Sequence, residues 1–123
     1  MKQPNAAQKR FIDHVCLFIE RYTLGYLYPG YEQYFGYHVH HPCGRSAKHN
    51  KVEIGHWFIL PVPVELHDVS SNHPLNVTHY KHRFTETFGA QACLFRRLVE
   101  GMRIMGLSIP PDGVLNEIFD SGE

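Results

Sequence analysis

The chain has 123 residues, 43% hydrophobic and 20% charged, which suits one folded domain with one modest core and not a disordered segment. Twelve Lys and Arg balance twelve Asp and Glu, which argues against a protein that holds nucleic acid by bulk charge alone. No apolar run approaches a membrane span, and Met1-Lys-Gln-Pro-Asn-Ala-Ala7 lacks the apolar stretch of a signal peptide, so a soluble, cytoplasmic protein is expected.

Cys16, Cys43 and Cys93 form no CxxC pair, so neither a disulfide framework nor a zinc ribbon is indicated, and a reducing setting is the default. Charge is unevenly spread. From Ile109 onward there are four acids (Asp112, Glu117, Asp120, Glu123) and no Lys or Arg. Arg45, Lys48 and Lys51 crowd one segment, and Lys81, Arg83, Arg96, Arg97 and Arg103 follow later.

In chain order, Phe11, Val15, Phe18, Ile19 and Tyr22 recur at helical spacing behind Asn5, a good cap. They predict a helix over Asn5–Tyr22 that packs a core, with His14 and Cys16 as structural residues. Thr23–Gly36 is rich in Tyr and Gly and reads as an aromatic-packed loop with a turn at Pro29-Gly30. Exposed tyrosines there could stack on bases. Tyr37–His41 alternates and predicts a strand ended by Pro42. Cys43–Asn50 is polar and basic, hence a loop. Lys51–Leu60 is β-branched and aromatic and predicts a second strand, ended by Pro61 and Pro63. Pro63 also suits the first turn of a helix over Val64–Ser70, which carries His67. A long helix follows over Asn76–Met105, bent at Gly89, with Phe84, Phe88, Ala92, Phe95, Val99 and Met102 on one face. Pro110–Gly113 is a turn, and Val114–Phe119 a short last helix. There is no repeat and no linker, so the chain is one domain over residues 1–123. Asn76-Val-Thr78 is a glycosylation-type triplet that means little without a secretory signal.

Histidine is the outlier. Nine of ten lie between His38 and His82. Imidazole is the commonest metal ligand and titrates near neutrality, so a cluster in one segment suggests a metal ion beside a general base. A polar surface that happens to use histidine is the plainer explanation. Adjacent His40-His41 at a strand end can divide metal binding and proton abstraction, because neighbouring strand side chains point to opposite faces. His67 can close the metal site from the following helix, and His56 lies where a polar residue could support the base. Arg45, Lys48 and Lys51, helped by Lys81 or Arg83, are the expected DNA contacts.

The segment His40-His41-Pro-Cys-Gly-Arg45, followed by Gly55-His-Trp-Phe-Ile-Leu-Pro-Val-Pro-Val-Glu-Leu-His67, resembles phage- and prophage-encoded HNH proteins of the recombination-enhancement nuclease group. Phe84-Thr-Glu-Thr-Phe-Gly89-Ala-Gln91 is similar to the Phe-containing helix that follows in them. The resemblance covers about residues 37–91. It implies an α+β fold with a ββα-metal core of two short antiparallel strands and a helix, flanked by N- and C-terminal helices. It further implies His40 and His67 as metal ligands, His41 as the general base, and His56 near the Asn/Asp position that orients the base. A second helix histidine of the family falls on Ser71 here, with His73 as its substitute ligand. The family's cysteines are replaced by Pro63 and Leu66, so no structural zinc of that kind is implied.

The leading expectation is a Mg²⁺- or Mn²⁺-dependent DNA endonuclease in phage recombination or DNA processing, with Zn²⁺ or Ni²⁺ as possible ions and a host or phage recombination protein as a possible partner. Two readings compete with it. One is a nuclease-fold module that binds DNA or protein without catalysis, and the other is a histidine-rich domain stabilised by metal. Metal identity, preferred DNA structure and oligomeric state are not written in the sequence.

Overall fold

The chain is described over residues 3–121 by a computed structural model, and it folds as a mixed α+β structure with four α-helices and two small antiparallel sheets among those residues. Helix α1 spans Ala6–Tyr22 and begins at a reciprocal cap. The Asn5 side chain accepts from the Gln8 amide at 2.8 Å, and the Gln8 side chain accepts from the Asn5 amide at 2.9 Å. Its Phe11, Val15, Phe18 and Ile19 face is buried, as the helical spacing predicts.

Strand β1 (Tyr37–His40) pairs antiparallel with β4 (Leu60–Pro63). The register sets His38 opposite Val62 and His40 opposite Leu60, with Val39 opposite Pro61 and Tyr37 opposite Pro63. Pro61 and Pro63 were expected to end a strand; Pro63 does end β4, whereas Pro61 lies inside it. A proline has no N–H to give, so both can stand only where the backbone groups point away from β1. The Pro61 carbonyl, on that outer side, accepts a 2.6 Å hydrogen bond from the buried Tyr28 hydroxyl.

The expected strand over Lys51–Leu60 divides into three pieces. Val52–Glu53 is β3, paired with β2 (Lys48–His49) inside the segment read as a loop. Asn50 and Lys51 join them with φ of 50° and 67°, the left-handed pair that a two-residue hairpin turn requires. Residues 54–58 make a tight turn, with the Trp57 and Phe58 amides both donating to the Ile54 carbonyl. Ile54, Phe58, Ile59 and Leu60 are fully buried, and so continuous an apolar run carries no period by which to separate strand from turn.

Gly55 sits where this turn crosses the loop before β2. The Ile54 and Gly55 amides both donate to the Ala47 carbonyl, and a Cβ on Gly55 would run into the Arg45 carbonyl. Backbone cannot yield as a flexible side chain does. Gly55→Ala is therefore expected to lower stability by roughly 1–3 kcal/mol, read as the shift of the urea midpoint at unchanged m-value. A shift under about 0.5 kcal/mol, the usual size for a surface change, would contradict the packing.

The expected helix over Val64–Ser70 is a single 3-10 turn, Val64–Leu66, with His67 as the residue that ends it. Buried Asn76 holds the irregular chain beyond it. The Asn76 amide group donates to the Glu65 and Asp68 carbonyls, and its oxygen accepts from the Thr78 and His79 amides. The long helix expected over Asn76–Met105 starts later and is broken in two: α2 (Lys81–Phe88) and α3 (Gln91–Ile104). Gly89, at φ 101°, leaves the helical region and ends α2. Helix α4 (Asp112–Asp120) starts two residues before the expected Val114, with Pro111 as its cap. The core lies where α1, α3 and β4 meet, with the Phe95 ring against both Phe11 and Phe58. No helix among the described residues is long and apolar enough to cross a membrane.

Candidate functional site

Strand alternation divides the β1 histidines. His38 and His40, two apart, share one face, and both lie against His67. Nδ1 of His38 and Nδ1 of His67 share a hydrogen bond at 2.8 Å, and the His40 and His67 ring centres are 4.8 Å apart. His41, past the strand end, pairs with buried His56 at 3.1 Å between Nε2 and Nδ1. The two groups meet along the chain through consecutive His40 and His41, and they face different cavities, His41 and His56 one with Arg45, His38 and His67 another with Asp68 and Thr78.

Gln91 is buried at the start of α3, where the break after α2 places it, and its Oε1 is 2.8 Å from Nε2 of His40. An amide oxygen only accepts, so His40 carries its proton on Nε2 and keeps a lone pair on Nδ1. This is the arrangement by which an outer partner fixes the ring of a metal-binding histidine.

Burial, then the charge of His67, pushes His40 down to about 4, with Lys81 acting the same way and the Gln91 hydrogen bond against it. His41 is pushed down to about 4, by burial first and then by His56, Arg45, His40 and His67. His67 is lowered by burial and by His38. All three are neutral imidazoles near pH 7, the form that can bind metal or accept a proton.

Lowered histidine values in the fold favour the neutral form. That contribution to stability is complete above the unfolded value of about 6.5 and is lost as pH falls toward about 4. With allowance for solvent screening, the metal-free protein should lose on the order of 2 kcal/mol between pH 6.5 and 4. Thermal melts in chelator across that range would show it as a Tm falling by several degrees. A level Tm would contradict the buried, neutral state of these rings.

The remaining expected residues are distributed as follows. His73 is turned to its own loop, with Nδ1 accepting from the Leu75 amide and Nε2 3.9 Å from Glu65. Arg45 lines a cavity with His41 and His56, and Lys81, the first residue of α2, carries a charge that disfavours a proton on His40. Exposed Lys48 and Lys51 ride on the β2–β3 hairpin, which packs on α4, and Arg83 lies over the Tyr80 ring at 4.6 Å. His38 and Gln91 were not among the expected site residues. Alternation along β1 pointed to His38, whereas Gln91 comes to His40 from 51 residues away with no local signal.

The donor set at His38, His40 and His67 suits a divalent ion that accepts imidazole nitrogen. Ligands of a tetrahedral ion stand about 3.4 Å apart, so the 2.8 Å His38–His67 pair needs only a small opening, while His40, held by Gln91, does not form a close-set triad of ligand atoms with them. Among the described residues, the three metal-type donors that do stand close-set lie elsewhere: one ligand atom each of His49, Glu117 and Asp120 lies within 4.8 Å of the others.

No family model, no curated protein and no solved structure matches the chain.

Proposed function

We propose that the protein is a metal-dependent endonuclease that hydrolyses phosphodiester bonds in DNA, with a ββα-metal type of centre. The observation that supports this reading most is the division of labour at the end of β1, where a metal-type imidazole group (His38, His40, His67) adjoins a paired histidine (His41–His56). A phosphodiester needs an activated water, a base to take its proton, and positive charge at the phosphate. His41 is the base, since a neutral ring accepts a proton, and His56 orients it through their hydrogen bond. Arg45 and Lys81 hold the phosphate at the two histidine groups. His40 and His67, with His38, hold the ion, which supplies Lewis-acid stabilisation of the developing charge when bound. The host or phage recombination role rests on the sequence resemblance.

One feature favours a second reading, a module that binds DNA without cutting it. His38 and His67 already bond one another, and His40 is already bonded to Gln91. The two readings part in one experiment. Chelator-treated protein is given single-stranded, duplex and branched DNA with Mg²⁺, Mn²⁺, Zn²⁺ or Ni²⁺ in turn. Strand breakage that needs metal and stops with chelator is the expected result. Binding with no breakage in any metal would replace the nuclease with the binding module.

A further inference from the structure

The acidic C-terminal stretch and the β2–β3 hairpin meet at a group of side chains that the nuclease reading does not use. His49 closes the hairpin opposite Val52, and α4 packs on β3. Glu117 and Asp120 stand one helical turn apart, so they share a face of α4. Nδ1 of His49 lies 2.8 Å from Oε1 of Glu117, and the Asn50 amide donates to the same oxygen at 3.0 Å. From this juxtaposition we infer a second, structural metal site, made by His49, Glu117 and Asp120, that takes a first-row divalent ion such as Zn²⁺ and clasps the hairpin to α4.

Four features carry it. The ligand atoms already lie within 4.8 Å of one another, and drawing them to the roughly 3.4 Å of a tetrahedral sphere takes side-chain movement alone. The donors are one imidazole and two carboxylates, a set that suits Zn²⁺ better than Mg²⁺ because imidazole nitrogen is the softer ligand. The two carboxylates bring negative charge to one place, which a divalent ion offsets. Asn50 fixes the Glu117 carboxylate from outside, as outer partners of metal ligands do. Asp120 is exposed, so water completes the sphere.

The site belongs to different residues from the proposed catalytic centre, so the two are separable. Calorimetric titration of metal-stripped full-length protein with Zn²⁺ is the test, with thermal melts beside it. The His40→Ala, His67→Ala variant should keep one equivalent at this site and keep a Zn²⁺-dependent rise in Tm. Glu117→Gln with Asp120→Asn should lose that equivalent and that rise. Asp120→Asn alone, a change at an exposed position, should weaken the site by about tenfold or more if the pair fails to fold. Unchanged Zn²⁺ affinity and stoichiometry in the α4 variants would overturn the assignment. So would the absence of any bound Zn²⁺ in the His40→Ala, His67→Ala protein.

Discussion

The protein with His40→Ala and His67→Ala is expected to lose metal-dependent DNA cleavage to background. Removing an outer partner of a ligand costs about 10–100-fold in metal affinity, and removing two ligands should cost more than about a hundredfold. Both rings sit against one another beside β1, and both are neutral near pH 7, so each offers a lone pair without first shedding a proton. His38 keeps its place in the double variant but has no imidazole partner, and a lone histidine is a weak site. Calorimetry with Mn²⁺ or Ni²⁺ reads the binding, and single-turnover cleavage reads the rate. Circular dichroism melts in chelator report whether the variant folds. A folded double variant that binds as many equivalents of metal as wild type, with the same affinities, would remove His40 and His67 from the metal site.

How much of this was visible in the sequence differs by element. Helix α1 was legible to within a residue, because Asn5 and Gln8 form a cap and the apolar residues keep one period. Strand β1 was legible from alternation, and the same alternation placed His38 with His40, a consequence drawn only with the structure. The 54–58 turn was hidden because nearly every residue there is buried, which erases the periodic contrast. The hairpin was hidden by Asn50 and Lys51, whose positive φ makes the turn without a glycine to announce it. Gly89 was read as a bend in one helix, and it ends one helix so that another can start with Gln91 aimed at His40.

The site followed the same division. His40 with His67, and His41 with His56, were pairs that spacing and resemblance suggested, and the fold brings each pair together. The helix expected to carry His67 is one 3-10 turn, because Asn76 claims the Glu65 and Asp68 carbonyls that a longer helix would use. Asn76 itself read only as the start of the long helix and as part of a glycosylation-type triplet. Its four hydrogen bonds join residues 65–79, a network that no local pattern in the sequence encodes.

The second large effect is expected at His41. A general base contributes about 10²–10⁴ in rate, so His41→Ala should cut cleavage by about a hundredfold or more. Metal binding should stay near wild type, since His40 and His67 lie on the other group. From the sequence, an ordinary imidazole would become active as pH rises through about 6.5. The fold changes that expectation: burial and His56 push His41 down to about 4, so it is already neutral well below that pH. A phosphate arriving beside Arg45 brings negative charge, which raises the ring's affinity for a proton in the complex. The structural alternative is that His41 only braces His56, in which case its loss lowers stability and leaves the rate per folded molecule unchanged.

That contrast makes one measurement decisive: the single-turnover cleavage rate of His41→Ala relative to wild type, at saturating metal and DNA, per folded molecule. A fall of about a hundredfold or more with near-wild-type metal affinity is the result expected of a general base. Equal rates from the two folded proteins would contradict a catalytic centre at the end of β1.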